Sequence, residues 1–398
     1  MTGPRTPPRL FTLVAVTGLA AMSMNVFLPS LPGMARYYGV EYGVMQLSVS
    51  VYLAMSAVLQ LLAGPVSDLF GRRPAMLGAL AVFLLATVGT LLAPSAGWFL
   101  FFRMVQSVVT AGMVISRAVV RDIVPGAEAA SMIGYVTMGM AVVPMVAPAF
   151  GGILDEALGW HANFAMMGLL GLAVFALCWF DMGETAKDGG VPLRQQFSTY
   201  PELARSWQFW GYALVATLTS GSFFAYLGGA PFVGETVFHL SSAQVGYWFA
   251  APSIGYAIGN FVSARGVKVI GMNRLILTGT IIASLAPTIA LAADLAGWHQ
   301  PLIFFGAVAF LGLGNGMVLP GANAGLMGVR PELAGTASGF GGALMVAGGA
   351  FMAAIAGALL GPTTGAAPLL AIMAASSIGS VVIIRLVIRR QRNKMMQG

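Results

Sequence analysis

Of 398 residues only 20 are basic and 13 acidic, or 8% charged, where a soluble domain carries about 25%. With 58% of residues apolar and 52 glycines, the chain cannot clothe a water-facing surface, and it is too apolar to be disordered. Twenty bases spread over this length exclude a nucleic-acid footprint, and one cysteine, Cys178, with no Cys/His spacing excludes an internal disulfide and a metal site.

What remains is an all-α polytopic membrane protein. A bilayer core of about 30 Å needs about 20 apolar residues per helix. Twelve such spans are expected, at about 10–28, 46–66, 75–93, 98–120, 131–154, 161–181, 207–227, 243–262, 274–293, 299–323, 336–359 and 368–388. The runs are long and continuous, unlike the alternating ten-residue strands of a barrel. The Gly- and Ala-rich stretch from Gly335 to Gly361 predicts close helix packing.

The bases set the orientation. With both termini in the cytoplasm, the inside segments hold Arg5 and Arg9, then Arg72 and Arg73, then Arg117 and Arg121. They continue with Lys187, Arg194 and Arg205 in the central loop, Arg265, Lys268 and Arg274, then Arg330, and the tail from Arg385 to Lys394. Arg36 alone falls outside, and Arg103 alone falls within a span.

The polar stretch 183–206, with Lys187, Asp188, Gly189 and Gly190, divides the chain into two six-helix bundles, 1–182 and 207–398. An offset of 200 residues aligns Gly71 with Gly271, Trp98 with Trp298 and Gly112 with Gly312. Parallel repeats of this kind flank a central site near the membrane midplane.

In chain order, the first span ends in Met24-Asn25-Val26-Phe27-Leu28-Pro29-Ser30-Leu31-Pro32. The second is expected to end near Gly64-Pro65, before a turn that presents Asp68, Gly71, Arg72 and Arg73. In the fourth, a charge at Arg103 costs at least ~2.5–3.5 kcal/mol on insertion scales, so a partner or cavity is expected. Arg103, Gln106, Thr110 and Arg117 follow helical spacing, and that face should look toward the central cavity. The fifth span carries Pro144 and Pro148, which bend a helix, and Gly151 and Gly152, which let a neighbour approach.

The Gly64–Pro74 loop resembles the cytoplasmic signature G-x-x-x-D-x-x-G-R-R of the major facilitator superfamily, where it acts as a latch between the halves. Arg103-Met104-Val105-Gln106 and Ser116–Asp122 resemble the fourth-helix motif of its drug:proton antiporters, whose arginine is tied to proton transfer. Ala147-Pro148-Ala149-Phe150-Gly151-Gly152 is similar to the antiporter motif G-P-x-x-G-G, with alanine at its first position. The Met24–Pro32 string, with Glu332 and Gly335 to Ser338, resembles the bicyclomycin and chloramphenicol exporter group. The resemblance implies alternating-access efflux of small amphipathic drugs, powered by a proton gradient without a bound cofactor. It further implies a multi-pass monomer in a bacterial cytoplasmic membrane.

One departure matters. The group's first-helix aspartate, its expected proton carrier, is Asn25 here, and asparagine does not titrate in this range. None of the 13 acids falls mid-span. Three accounts stay open: a peripheral acid such as Asp155 or Glu156, coupling through Arg103 and the substrate's own charge, or an uncoupled facilitator. The expected substrate contacts are Asn25, Arg103, Gln106, Tyr226 and Asn315, with Met22, Tyr135 and Phe223 as wall. Gating is expected from Asp68, Gly71, Arg72, Arg73, Pro144, Pro148, Gly151, Gly152 and Arg103. An importer on the same fold is the nearest rival. A membrane enzyme has no matched cluster around His161, His239 or His299, a nucleotide pump lacks its phosphate loop, and a channel lacks a symmetric ring.

Overall fold

The computed structural model describes residues 7–124, 126–186, 200–330, 333–361 and 363–397. Arg5, Lys187, Asp188, Gly189, Gly190, Arg194, Glu332 and the side chain of Lys394, read above, lie outside the described residues. Every regular element described is a helix. That is the solution an apolar solvent imposes, because a helix satisfies its backbone groups internally.

The first half comprises α1 (Leu10–Asn25), a 3₁₀ turn (Leu28–Ser30), α2 (Leu31–Tyr38), α3 (Tyr42–Phe70) and α4 (Arg72–Leu91). It continues with α5 (Ala96–Gln106), a second 3₁₀ turn (Ser107–Thr110), α6 (Ala111–Ile123), α7 (Gly126–Leu158) and α8 (His161–Asp181). After the short α9 (Tyr200–Ala204) come α10 (Trp207–Phe232), a π turn (Val233–Val237), α11 (Ser242–Trp248) and α12 (Ala250–Ile270). The chain closes with α13 (Met272–Leu295), α14 (Pro301–Met327), α15 (Ala334–Leu359) and α16 (Ala367–Gln397).

Among the described residues, ten helical stretches are long and apolar enough to cross a bilayer. The two remaining expected spans lie on α7 and on α11 with α12. Between the latter the helix breaks at Phe249, and Asn260, Ser263, Arg265 and Lys268 dilute the apolar run.

Two boundaries differ from expectation. The first span continues to Tyr38, because Pro29 and Pro32 fall in the first turn of new helical segments, where a missing N–H costs nothing. Arg36 therefore sits on a helix, not in a loop. The second helix runs through Pro65 to Phe70. Proline removes one donor there, while the Ser67 hydroxyl donates to the Gly64 carbonyl at 2.9 Å. The true stop is Gly71, at φ +96°, a conformation open to glycine. Gly271 has φ +81° and likewise precedes a helix, so this pair of the 200-residue offset is one turn used twice.

We call the helix ends that carry Arg72, Arg121 and Arg389 the basic face, and the opposite ends the far face. One apolar core runs through the first half and into the far-face part of the second, from Leu13 and Phe83 to Phe305 and Ala353. The basic-face part of the second half packs a separate core around Phe209, Tyr212, Ile276, Val318 and Val387. The halves are thus joined through the far face.

Candidate functional site

In the first half, Arg103 on α5 is fully buried. Its guanidinium lies 4.4 Å from the Phe27 ring, 4.3 Å from Tyr52 and 5.9 Å from Phe164. It donates to the Ser23 carbonyl at 3.1 Å and to the Gln106 side-chain oxygen. Gln106 in turn donates to the Thr87 hydroxyl at 2.7 Å. Among the described residues, this charge is held by aromatic faces and neutral oxygens, and no carboxylate contacts it. The Arg103 Nε and the Tyr52 hydroxyl have no hydrogen-bond partner there.

The expectation that Arg103 and Gln106 face a central cavity is corrected: both are fully enclosed by the first half. The physical reason is that rings and carbonyls replace the hydration that lipid would not supply. Arg117, beyond the 3₁₀ turn Ser107–Thr110, donates to the Met113 carbonyl at 3.2 Å.

Asn25 stands where α1 gives way to the first 3₁₀ turn. Its amide nitrogen donates to the Ala21 carbonyl at 2.7 Å, while its oxygen has no partner among the described residues. Met22 is half-buried nearby on α1. In the second half, Tyr226 is fully buried among Phe249, Phe304, Phe305 and the half-buried Phe223, and its hydroxyl is also unpartnered among the described residues. Asn315 is buried on α14 with its oxygen in the same condition. Tyr226 packs on Phe304 and Phe305, and Asn315 lies about 15 Å further along that helix, so these residues do not form a single cluster. Tyr135, on α7, is 54% exposed.

The halves meet where α7 is thinnest. A Cβ on Gly151 would overlap the Val26 carbonyl of the first half, and one on Gly152 the Ser242 carbonyl of the second. Gly246 of α11 fits as tightly against the Pro148 carbonyl. Pro144 and Pro148 both lie inside the unbroken α7. Polar contacts reinforce this seam. Glu156 accepts the Ala243 N–H at 3.0 Å, at the start of α11. Arg36 pairs with Glu235, and the Tyr42 hydroxyl donates to the Gly228 carbonyl at 2.5 Å. Asp155, past the apolar run of α7, lies by the Ser242 and Ser30 hydroxyls, and burial raises its carboxyl above the usual range. Asn163 holds Ser30 in place, donating to its hydroxyl at 3.1 Å.

Sequence reasoning missed Tyr42, Gln46, Tyr52, Asn163 and Glu235. Tyr42, Asn163 and Glu235 have partners distant in the chain, Tyr52 lies against the Arg103 guanidinium, and Gln46 shares hydrogen bonds with Ser50. The one available signal is polarity inside an apolar run, as at Gln46, which packs against Gly228 and Gly357.

At the basic face, Arg72 pairs with Asp68 at 2.5 Å and with Asp122 at 2.9 Å, and donates to the Ser67 hydroxyl. Glu184 accepts the Arg72 N–H at 2.9 Å, which caps the start of α4. Arg73 donates to the Trp179 carbonyl at 2.9 Å. The partners described for these two arginines belong to the first half and its exit, so the loop knits one bundle in this conformation.

A family model described as Major Facilitator Superfamily matches residues 13–350. A bicyclomycin resistance protein homolog of Haemophilus influenzae is 28% identical, over 94% of each chain. Multidrug resistance protein D of Escherichia coli is 28% identical, over 89% of each. A chloramphenicol resistance protein of Pseudomonas aeruginosa is 36% identical, over 54% of this chain and 51% of its own. Among solved structures, a D-xylose-proton symporter superposes with TM-score 0.75 at 14% identity, covering 94% of this chain and 96% of that one. A bacterial homolog of the human lysosomal transporter Spinster, inward-facing and unoccupied, superposes with TM-score 0.72 at 16% identity, covering 95% and 94%. The apolar helices, the paired turns at Gly71 and Gly271, the α7 seam and these matches lead to one assignment: the chain belongs to the major facilitator superfamily and is related to its bicyclomycin and chloramphenicol resistance proteins.

Proposed function

We propose that the protein is a secondary active exporter of small amphipathic drugs of the chloramphenicol and bicyclomycin type, working by alternating access. The observation that carries this reading is the α7 seam. Gly151 and Gly152 let one helix close against α1 and α11 at once, so a single seal stands between substrate and the far face. In this reading twelve spans form two six-helix bundles joined by a cytoplasmic linker. The basic face and both termini are cytoplasmic, and the monomer sits in a bacterial inner membrane. Substrate lies between the bundles against Asn25, Met22, Phe223 and Asn315. Arg103 and Gln106 act from behind α1 by fixing the Ser23 backbone. A proton gradient supplies the energy, with no bound cofactor.

One observation favours a second reading, an uncoupled facilitator. Arg103 meets no carboxylate among the described residues, and Asn25 occupies the place of the group's proton carrier. Drug accumulation in a strain lacking its own pumps tests the direction of transport: expression lowers it for an exporter and raises it for an importer. Vesicle transport with and without a pH gradient then separates the two readings, since a facilitator ignores the gradient.

A further inference from the structure

The two halves carry unequal charge. Residues 1–182 hold eight bases and seven acids, whereas residues 207–398 hold nine bases and three acids. In the first half part of the basic-face charge is matched, Arg72 by Asp68 and Asp122 and Arg9 by Asp181, while Arg73 lies over the Trp179 ring at 5.8 Å. In the second half two of the three acids are elsewhere: Glu235 is paired at the far face with Arg36, and Asp294 with His299. Glu332 lies outside the described residues, and Glu202, just before this half, is paired with Arg330. Topology alone asks for bases on this face, and does not ask that they outnumber the acids three to one in one half, nine to three.

The bases left over form a continuous rim. Arg265 and Lys268 end α12, the Gly271 turn follows, and Arg274 opens α13. Beside Arg274, Asn273 donates to Gln391 at 2.7 Å, and Gln391 donates to the Tyr212 hydroxyl at 3.2 Å. This network fixes the last turns of α16 against the bundle, with Arg389, Arg390 and Arg392 exposed. α16 has 31 residues, about 46 Å of helix, so its end projects beyond a hydrocarbon core of about 30 Å. Two guanidiniums lie over partly exposed rings, Arg265 at 4.2 Å from Phe261 and Arg390 at 4.8 Å from Trp207. Val269 beside them is 83% exposed. Bases seated on aromatic rings next to exposed apolar side chains suit the level of phospholipid headgroups.

We propose that the basic-face rim of the second half is a docking surface for anionic phospholipid headgroups. Phosphate oxygens accept from the guanidiniums and the ammonium, while acyl chains cover Phe261, Val269 and Trp207.

The test uses the full-length protein in nanodiscs of equal phosphatidylglycerol and phosphatidylcholine, and reads the lipids retained on extraction by native mass spectrometry. The wild type is expected to retain phosphatidylglycerol preferentially. The variant K268Q/R274Q/R389Q/R392Q should lose at least about ten-fold of that preference, each base near a surface being worth about five-fold. Arg9→Gln, at a base paired with Asp181, should keep it. Melting in neutral detergent checks the variant's fold. Independently, raising wild-type samples from 0.15 M to 1 M salt shortens the screening length from about 8 to about 3 Å and should lower the preference. Equal retention of the two lipids by the wild type, or a preference that survives both the variant and the salt, overturns the proposal. So does binding of a soluble acidic peptide to the rim without any lipid preference, since the rim then serves a cytosolic partner.

Discussion

Gly152→Ala tests the seal directly. The new Cβ would stand 2.7 Å from the Ser242 carbonyl carbon and 2.9 Å from the Ala243 Cα, with the carbonyl oxygen closer still. The obstacle is backbone at the start of α11, in the opposite half, so no side-chain rotation relieves it. Overpacking of this kind costs about 1–3 kcal/mol. The cost falls on the far-face-closed conformation, because opening separates α7 from α11. A penalty of about 2 kcal/mol moves the closed-to-open ratio by about thirty-fold, at 1.4 kcal/mol per factor of ten. Spin labels on Glu41→Cys and His239→Cys, exposed far-face positions in opposite halves, report the change as a distance distribution in a Cys178→Ala background. Gly152→Ala should move weight to longer distances. Gly64→Ala, where an added Cβ meets nothing within 4 Å, should not. An unchanged distribution in folded Gly152→Ala protein would refute the reasoning.

Other outcomes follow from the same geometry. Arg103→Ala strips Ser23 and Gln106 of their donor and leaves three rings facing a void, so it should abolish drug export and destabilise the protein by about 2–5 kcal/mol, read from export assays and melting. Arg36→Glu should widen the far-face distances and Glu235→Arg in the same chain should restore them, with effects of at most about 1 kcal/mol for an exposed pair. Burial raises Asp155 in the closed seam, so closure gains from its protonated form at low pH and loses that gain as pH rises through the raised value. Acidification should therefore favour the short distances, and Asp155→Asn, with Arg36 and Glu156 left in place, should remove the pH dependence.

Much of the architecture was legible because lipid leaves the chain few choices. Apolar length located the spans, and the 200-residue offset found a turn that the structure uses twice, at Gly71 and Gly271. The end of α3 was misplaced because Pro65 is a weaker stop inside a packed membrane helix than in water. Arg103 announced itself as the lone charge in a span, but the groups that enclose it, Phe27, Tyr52 and the Ser23 carbonyl, lie 50 to 80 positions away and leave no local mark. The seam was half visible. Gly151 and Gly152 signalled a close approach, whereas Arg36 with Glu235 and Tyr42 with Gly228 join residues nearly 200 positions apart, and nothing local to either partner names the other.

The central claim is export, and the most direct measurement is chloramphenicol accumulation in pump-deficient cells that express the protein. The account predicts lower accumulation with the wild type than with Arg103→Ala at equal membrane abundance. Across a set of chloramphenicol- and bicyclomycin-like compounds, equal accumulation in the two, or higher accumulation with the wild type, would contradict it.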